Sequence, residues 1–213
     1  MIPSSYFAFR VISPFPPSSL RGRSSVRLNS RGFTLVEIIV ILAVIAVLAA
    51  ILTPTVLKYI EDARLNRGLE DVRVLNAALN DLIKDTGKYP GSMLDQTAPA
   101  NTFLCGPGSL AGGVAWGASG TCESLSNHLI SNDPGVTGGT DNYPSTGKLR
   151  WKGPYLQAIN EDPWGNAYQV NASTLVGGNT SPTWVVSAGP DGTFQTATTD
   201  TALSGDDVGI RIK

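Results

Sequence analysis

The chain has 213 residues, of which 42% are hydrophobic and 15% are charged, which fits one membrane segment plus one modest soluble domain. Five of its 16 basic residues and no acidic residue lie in residues 1–32, which leaves 11 basic against 17 acidic residues, a formal charge near −6, for the rest. An acidic body argues against nucleic acid as the main partner.

The first 32 residues form a basic leader that is rich in serine and proline and is not expected to fold. Basic residues that precede a membrane span stay on the cytoplasmic side. The body that follows is therefore placed outside the cytoplasmic membrane.

An apolar stretch follows the leader, and Glu37 is the only charged residue in residues 33–57. About 20 apolar residues suffice to span a bilayer as a helix. A carboxylate inside such a span costs roughly 2.5–3.5 kcal/mol on insertion scales. Glu37 is therefore either tolerated near the interface, as in an ordinary signal anchor, or paired with an opposite charge.

The sequence predicts one helix from residue 33 to about residue 85, with a kink near Pro54 and a C-terminal cap at Gly87. Its second half is amphipathic, because apolar residues recur at spacings of three and four, which predicts packing on a core. These positions are Ile60, Leu65, Leu69, Val72, Leu75, Leu79, Leu82 and Ile83.

Residues 91–147 are interpreted as loop, because glycine and polar residues dominate them, although residues 125–130 are compatible with a short helix. This region holds both cysteines, Cys105 and Cys122. Outside the cytoplasm an isolated pair favours a disulfide over a metal or catalytic site. His128, the only histidine, has no serine or cysteine motif around it, which argues against a catalytic role.

The C-terminal part is strand-like at residues 166–170 and 183–188, and residues 208–212 predict a short closing strand or an extended tail. A long helix laid on a small antiparallel sheet buries the apolar face of each. The fold class is therefore α+β. The expected segments are 1–32 (leader), 33–57 (membrane half of the helix), 58–86 (amphipathic half), 87–150 (loop-rich region) and 151–213 (sheet and acidic loop).

The string Gly-Phe-Thr-Leu-Val-Glu at residues 32–37 resembles the class III signal of type IV pilins and type II secretion pseudopilins. This resemblance implies that a membrane-embedded prepilin peptidase cuts after Gly32 and N-methylates Phe33. It also implies that Glu37 pairs with the Phe33 amine of a neighbouring subunit, which suits the cost of an unpaired buried carboxylate.

Strings at residues 87–90, 151–156, 162–169, 187–192 and 205–208 resemble the major pseudopilins of type II secretion more than the type IV pilins. The region between residues 91 and 150 departs from that family. It is longer than usual there, and its cysteine pair is not part of the family pattern.

The resemblance implies a structural subunit that polymerises through its N-terminal helix into a periplasmic filament and helps to drive folded proteins across the outer membrane. The implied partners are minor pseudopilins, the inner-membrane platform, the secretin and the prepilin peptidase. The implied cofactor is Ca²⁺, held by Asp191, Asp206 and Asp207, with Asp200 as a rival ligand. Hard oxygen ligands of this kind suit calcium.

Three alternatives stay open at this level. The first is a surface type IV pilin for adhesion, motility or DNA uptake. The second is a membrane-anchored periplasmic enzyme, which would need a nucleophile–base pair or a metal–water site that the sequence does not display. The third is a ligand-binding sensor, which normally needs a cytoplasmic output domain, and 32 residues are too few for one.

Overall fold

A computed structural model of the chain describes residues 32–90, 103–113, 116, 122–134, 142–175 and 180–213. The protein consists of two compact units, of which the first ends at Leu48 and the second begins at Ala49. The leader, apart from Gly32, lies outside the described residues.

Helix α1 covers Leu35–Thr86, close to its predicted bounds. At its start the Glu37 backbone N–H donates to Thr34 Oγ1 at 3.2 Å, which pairs one of the N–H groups that a first helical turn leaves unpaired. Pro54 lies inside the helix without ending it.

The C-terminal end of α1 is closed as the sequence predicts. Gly87 has a φ of 65°, and its N–H donates to the Ile83 carbonyl at 2.8 Å, which is the left-handed cap that glycine favours. The Thr86 hydroxyl also donates to the Leu82 carbonyl at 2.7 Å.

The two ends of α1 differ in burial. Residues 32–64 are all exposed, and burial begins only at Gly68, which lies against the ring of Trp164. Ile60 and Leu69 are 44% and 37% exposed, so the predicted apolar stripe is wrong at these two positions. The buried residues of α1 are Gly68, Val72, Leu75, Ala78, Leu79, Leu82 and Thr86.

The described residues form the strands β1 (Phe103–Cys105), β2 (Gly112–Gly113), β3 (Cys122–Ser124), β4 (Gln169–Val170), β5 (Trp184–Ser187), β6 (Thr193–Phe194) and β7 (Val208–Arg211). Five of these strands form the main sheet in the order β3-β1-β4-β5-β7, and a second sheet pairs β2 with β6 in parallel. The pairs β1–β4, β4–β5 and β5–β7 are antiparallel. For β4, β5 and β7, the strands that lie in predicted segments, this is the expected arrangement. The pair β1–β3 is parallel, so the main sheet is mixed.

The interpretation of residues 91–147 as loop is wrong for β1, β2 and β3. These strands have two or three residues each, too few to show the alternation by which a strand is recognised. The other expectations are confirmed within shorter bounds, since β4, β5 and β7 lie inside the predicted strands. A helical turn at Asn127–Ser131 overlaps the short helix proposed for residues 125–130.

The main sheet carries a hydrophobic core on each face. Leu104, Val170 and Val185 pack with the second half of α1, where Leu79 and Leu82 are fully buried. On the other face Trp184 and Val186 pack with a cluster that includes Trp116 and Phe194. The helix and the small β2–β6 sheet therefore cover opposite faces, which is the α+β arrangement expected from the sequence.

Candidate functional site

The predicted cleavage site lies just before α1. Gly32, Phe33 and Thr34 are outside the helix, all three are exposed, and Phe33 is 74% exposed. A Cβ added at Gly32 would meet no atom within 4 Å. The Gly32–Phe33 bond is thus in backbone free of helical hydrogen bonds, where a protease can reach it.

Glu37 lies in the first turn of α1, on an exposed surface of apolar residues. Within the part of the chain that the structure describes, its carboxylate makes no ion pair. A carboxylate near a helix N-terminus is favoured by the partial positive charge there, but this effect is small, typically about 0.3–1 kcal/mol. Any stronger partner for Glu37 therefore lies outside the described residues.

The first half of α1 exposes an unusually large apolar surface. No contact within the described part of the chain buries it, and the helix is long and apolar enough to cross a membrane. Apolar patches of this size mark membrane or protein interfaces. The exposed large apolar residues of residues 35–57 are Leu35, Val36, Ile38, Ile39, Val40, Ile41, Leu42, Val44, Ile45, Val47, Leu48, Ile51, Leu52, Val56 and Leu57.

The second candidate site is the acidic loop, residues 188–207, which connects β5 to β7 and includes β6. It brings the three predicted calcium ligands into one hydrogen-bonded segment. The Asp191 N–H donates to Asp206 Oδ2 at 3.3 Å. Asp207 Oδ2 accepts the N–H groups of Gln195 and Thr196 at 3.0 and 2.6 Å.

Asp207 is the most constrained of the three carboxylates. It is 8% exposed, and its Oδ1 is buried with no hydrogen-bond partner among the described residues. Burial raises the pKa of Asp207 above its usual range, and the neighbouring Asp206 charge adds to this, against the hydrogen bonds that lower it. Burial therefore makes the ionised form of Asp207 less favourable than it is in water, and a nearby positive charge would offset this.

Gln195 is a residue of the acidic loop that the sequence did not single out. Its Nε2 donates to Asp191 Oδ2 at 2.6 Å, and its Oε1 is buried without a hydrogen-bond partner among the described residues. No three Asp, Glu, His or Cys side chains converge into a metal-binding group in the described part of the chain. The amide of Gln195 instead contacts one of the predicted ligands directly.

Asp200, the rival ligand, makes hydrogen bonds to a nearby residue of the same loop. Its Oδ2 accepts the Ala197 N–H at 2.8 Å, and its own N–H donates to the Ala197 carbonyl at 3.0 Å. Asp200 thus closes a tight turn within the acidic loop.

The two ends of the acidic loop lie close together at Gly189. Gly189 has a φ of 66°, and a Cβ there would overlap the Asp206 carbonyl. Any side chain would push the backbone before Asp191 away from Asp206, so this close approach requires glycine.

The cysteine pair forms a disulfide, as the sequence favoured. The bond joins Cys105 in β1 to Cys122 in β3 and thus holds the parallel pair of strands together. The strand β3 lies at the edge of the main sheet, and among the described strands it pairs with β1 alone. The disulfide therefore links the three-residue edge strand β3 covalently to β1.

His128 belongs to a buried polar network that the sequence did not indicate. The ring is fully buried, with Nε2 3.0 Å from Glu123 Oε1 and Nδ1 2.7 Å from the Tyr143 hydroxyl. Burial and the nearby Glu123 charge raise the pKa of Tyr143 above its usual range. The ring has no exposed surface through which a substrate could reach it. Its two hydrogen bonds instead connect β3, through Glu123, with the segment that contains Tyr143.

Two family models match the chain. The model of the prokaryotic N-terminal methylation motif matches residues 27–53, and the model of protein G of the type II secretion system matches residues 135–205. The fold, the exposed apolar half of α1 and this motif together resemble those of type IV pilin-like proteins.

Several curated proteins named type II secretion system core protein G are similar to the chain. The one from Klebsiella pneumoniae is 27% identical over 164 residues, which cover 77% of this chain and 87% of that protein. The one from Pectobacterium carotovorum subsp. carotovorum is 27% identical over 171 residues, with 80% and 81% covered. The one from Pseudomonas aeruginosa is 25% identical over 167 residues, with 78% and 87% covered.

No solved structure matches the chain significantly. Among type IV pilin-like proteins, those to which the chain is similar are the core protein G subunits of type II secretion. These relatives favour a secretion pseudopilin over a surface type IV pilin.

Proposed function

We propose that the chain is the major structural subunit of a type II secretion pseudopilus, which polymerises and helps to drive folded proteins across the outer membrane. The observation that carries this proposal is the first half of α1, where residues 35–57 carry one charge, that of Glu37, and are all exposed. Such a helix is stable in lipid before assembly and against other helices after it.

Assembly in this proposal begins with cleavage after Gly32, which frees the amine of Phe33. Phe33 and Glu37 are four residues apart, so the amine of one subunit can meet the carboxylate of the next with a small axial shift. Pairing removes the cost of a lone charge among apolar side chains. The contact thus supplies the register that apolar packing alone lacks.

The body, from the middle of α1 onward, lies in the periplasm in this proposal, since the basic leader stays on the cytoplasmic side. The inner membrane holds the subunit before assembly. The partners would be copies of the chain, minor pseudopilins, the inner-membrane platform, the secretin and the prepilin peptidase. The role is structural, and the chemistry of processing belongs to the peptidase.

Deletion and complementation test the function. In a strain that lacks the gene, we expect folded secreted proteins to accumulate in the periplasm, and the intact gene should restore their appearance in the medium. Surface filaments and twitching motility serve as the control readouts. Normal secretion together with loss of surface filaments would show a type IV pilin and overturn the proposal.

We also propose that the acidic loop binds Ca²⁺ through Asp191, Asp206 and Asp207. The support is the buried Oδ1 of Asp207 and the buried Oε1 of Gln195, two oxygen acceptors with no hydrogen-bond partner among the described residues. Calcium prefers six to eight hard oxygen ligands, and it would supply charge neutralisation and order here. The three carboxylates would hold the ion, with backbone carbonyls completing the ligand set.

Thermal unfolding of the full chain in detergent tests calcium binding. A ligand at 100 times its dissociation constant stabilises the fold by about 2.7 kcal/mol. For a body of this size that corresponds to a rise in Tm on the order of 10 °C. Chelator should lower the Tm, calcium should restore it, and magnesium should do so poorly, because Mg²⁺ demands tight octahedral geometry.

Two variants complete this experiment. Asp191→Ala should abolish the calcium response, whereas Glu161→Ala, at an exposed position outside the acidic loop, should keep it. Equal Tm values with and without chelator for the unaltered chain would rule out the calcium proposal.

A further inference from the structure

We infer that Gln195 is a calcium ligand of the acidic loop, and that its amide keeps the carboxylates apart from one another when no metal is bound. This inference rests on the proposed calcium site. It adds an uncharged side chain to the three carboxylates and explains why those carboxylates do not converge by themselves.

Gln195 connects the two ends of the acidic loop. Its backbone N–H donates to Asp207 Oδ2 at 3.0 Å, and its side-chain Nε2 donates to Asp191 Oδ2 at 2.6 Å. It follows Phe194 of β6, which is buried in the second core and so fixes the backbone position. The residue is thus anchored between two of the proposed ligands.

The unpartnered atoms around Gln195 are all acceptors. The Gln195 Oε1 is buried, and so is the Oδ1 of Asp207, and neither atom has a hydrogen-bond donor within the described residues. A Cβ at Gly205 would lie 2.6 Å from Gln195 Oε1, so the amide oxygen lies against bare backbone. A buried acceptor that lacks a hydrogen bond is unfavourable, because it has lost its contact with water and gained no partner. These two oxygens belong to the same hydrogen-bonded loop as the Asp191 and Asp206 carboxylates, and oxygens of this kind are suitable cation ligands.

The amide can serve both states of the loop because it has a donor end and an acceptor end. Without metal, Nε2 donates to Asp191 and takes the place that a cation would hold. With metal, rotation about the terminal bond of the side chain presents Oε1, and glutamine oxygens are ordinary calcium ligands. This rotation breaks the hydrogen bond from Gln195 Nε2 to Asp191, which is unfavourable when no metal is bound. It becomes favourable when the ion binds the Asp191 carboxylate in place of Nε2.

Calcium titration of the full chain in detergent, followed by calorimetry and by Tm, tests the inference with the metal alone as the probe. Gln195→Met keeps the length of the side chain and removes the amide oxygen. We expect its calcium affinity to fall about tenfold or more, the range seen when the surroundings of a metal site are altered. Gln157→Met, at an exposed position away from the acidic loop, should bind calcium like the unaltered chain.

Gln195→Glu provides the opposite change and decides the case even if Gln195→Met does not fold. The new carboxylate should lower the Tm in chelator, because it lies beside Asp191, and should raise calcium affinity above that of the unaltered chain. A Gln195→Met affinity equal to the unaltered one, or a Gln195→Glu affinity below it, would overturn the role of Gln195. Absence of binding to the unaltered chain would instead overturn the calcium proposal itself.

Discussion

The two halves of α1 belong to one helix and have opposite surroundings. In residues 35–57 every side chain is exposed, whereas seven residues between Gly68 and Thr86 are buried by the body. Both halves are rich in leucine, isoleucine and valine. The difference shows that hydrophobicity alone does not say what covers a helix. The body buries one face of the second half, whereas the described residues leave the first half exposed.

The two halves of α1 also differ in how their charged residues are arranged. The second half alternates apolar residues with ion pairs on its outer side, such as Arg67–Asp71 and Glu70–Arg73. The first half has one charge, Glu37, and apolar residues all round. A helix with one apolar stripe rests on a core, whereas a helix that is apolar all round is surrounded by apolar material on every side.

Blocking the cleavage would have the largest effect, because it leaves the first half of α1 without its free amine. Gly32→Leu should yield full-length, unassembled protein, since the peptidase requires a small residue at the cut. Gly32→Ala is the matched control and should be processed substantially. Mass spectrometry of the N-terminus decides, and a mature chain that starts anywhere except Phe33 contradicts the prediction.

Removing the charge of the first half is expected to damage assembly next. Glu37→Ala should insert and be processed, yet form few or misregistered filaments, because loss of one partner from a buried pair typically costs about 3–5 kcal/mol. Glu61→Ala is the control: its carboxylate is exposed and paired with Arg64 at 3.1 Å, so little should change. Normal filament yield of Glu37→Ala in electron micrographs would disprove the pairing.

Two leucines of α1 test the comparison directly. Leu79 is fully buried and Leu48 is 53% exposed. Leu79→Ala should lower the free energy of unfolding of the body by about 2–5 kcal/mol, since it leaves a cavity in the core. Leu48→Ala should leave the unfolding of the body unchanged, as measured by denaturant titration in detergent. Similar losses for both variants would mean that the first half also packs on the body.

The disulfide should affect the body by a smaller amount. The bond closes a loop with a sequence separation of 17, and loops of about that size contribute roughly 3 kcal/mol in the chain-entropy model. Replacement of Cys105 and Cys122 by serine should lower the Tm and speed amide hydrogen exchange in β3. Processing at Gly32 should stay normal, because the first half of α1 does not depend on this strand. Unchanged exchange in β3 would show that its position needs no covalent link.

The sequence by itself determined the features that depend on neighbouring residues or on a regular period. The motif at residues 32–37, the length of α1, its cap at Gly87 and its apolar first half are all readable from local spacing. Two antiparallel strands near the C-terminus were also predicted, because their residues alternate or run apolar with β-branched and aromatic side chains. Residues 208–212 were expected to form either a short strand or an extended tail. A cysteine pair in an oxidising compartment was enough to favour the disulfide.

Tertiary structure decided what depends on residues far apart in the chain. The parallel pairing of β1 and β3 has no local pattern, since each strand is only three residues long. The burial of His128 between Glu123 and Tyr143 depends on contacts between separate loops. The position of Gln195 beside Asp191 and Asp207 depends in the same way on β6 and β7. Burial along α1 begins only where the body reaches the helix, and that point is set by the packing of Trp164 against Gly68 rather than by the apolar period.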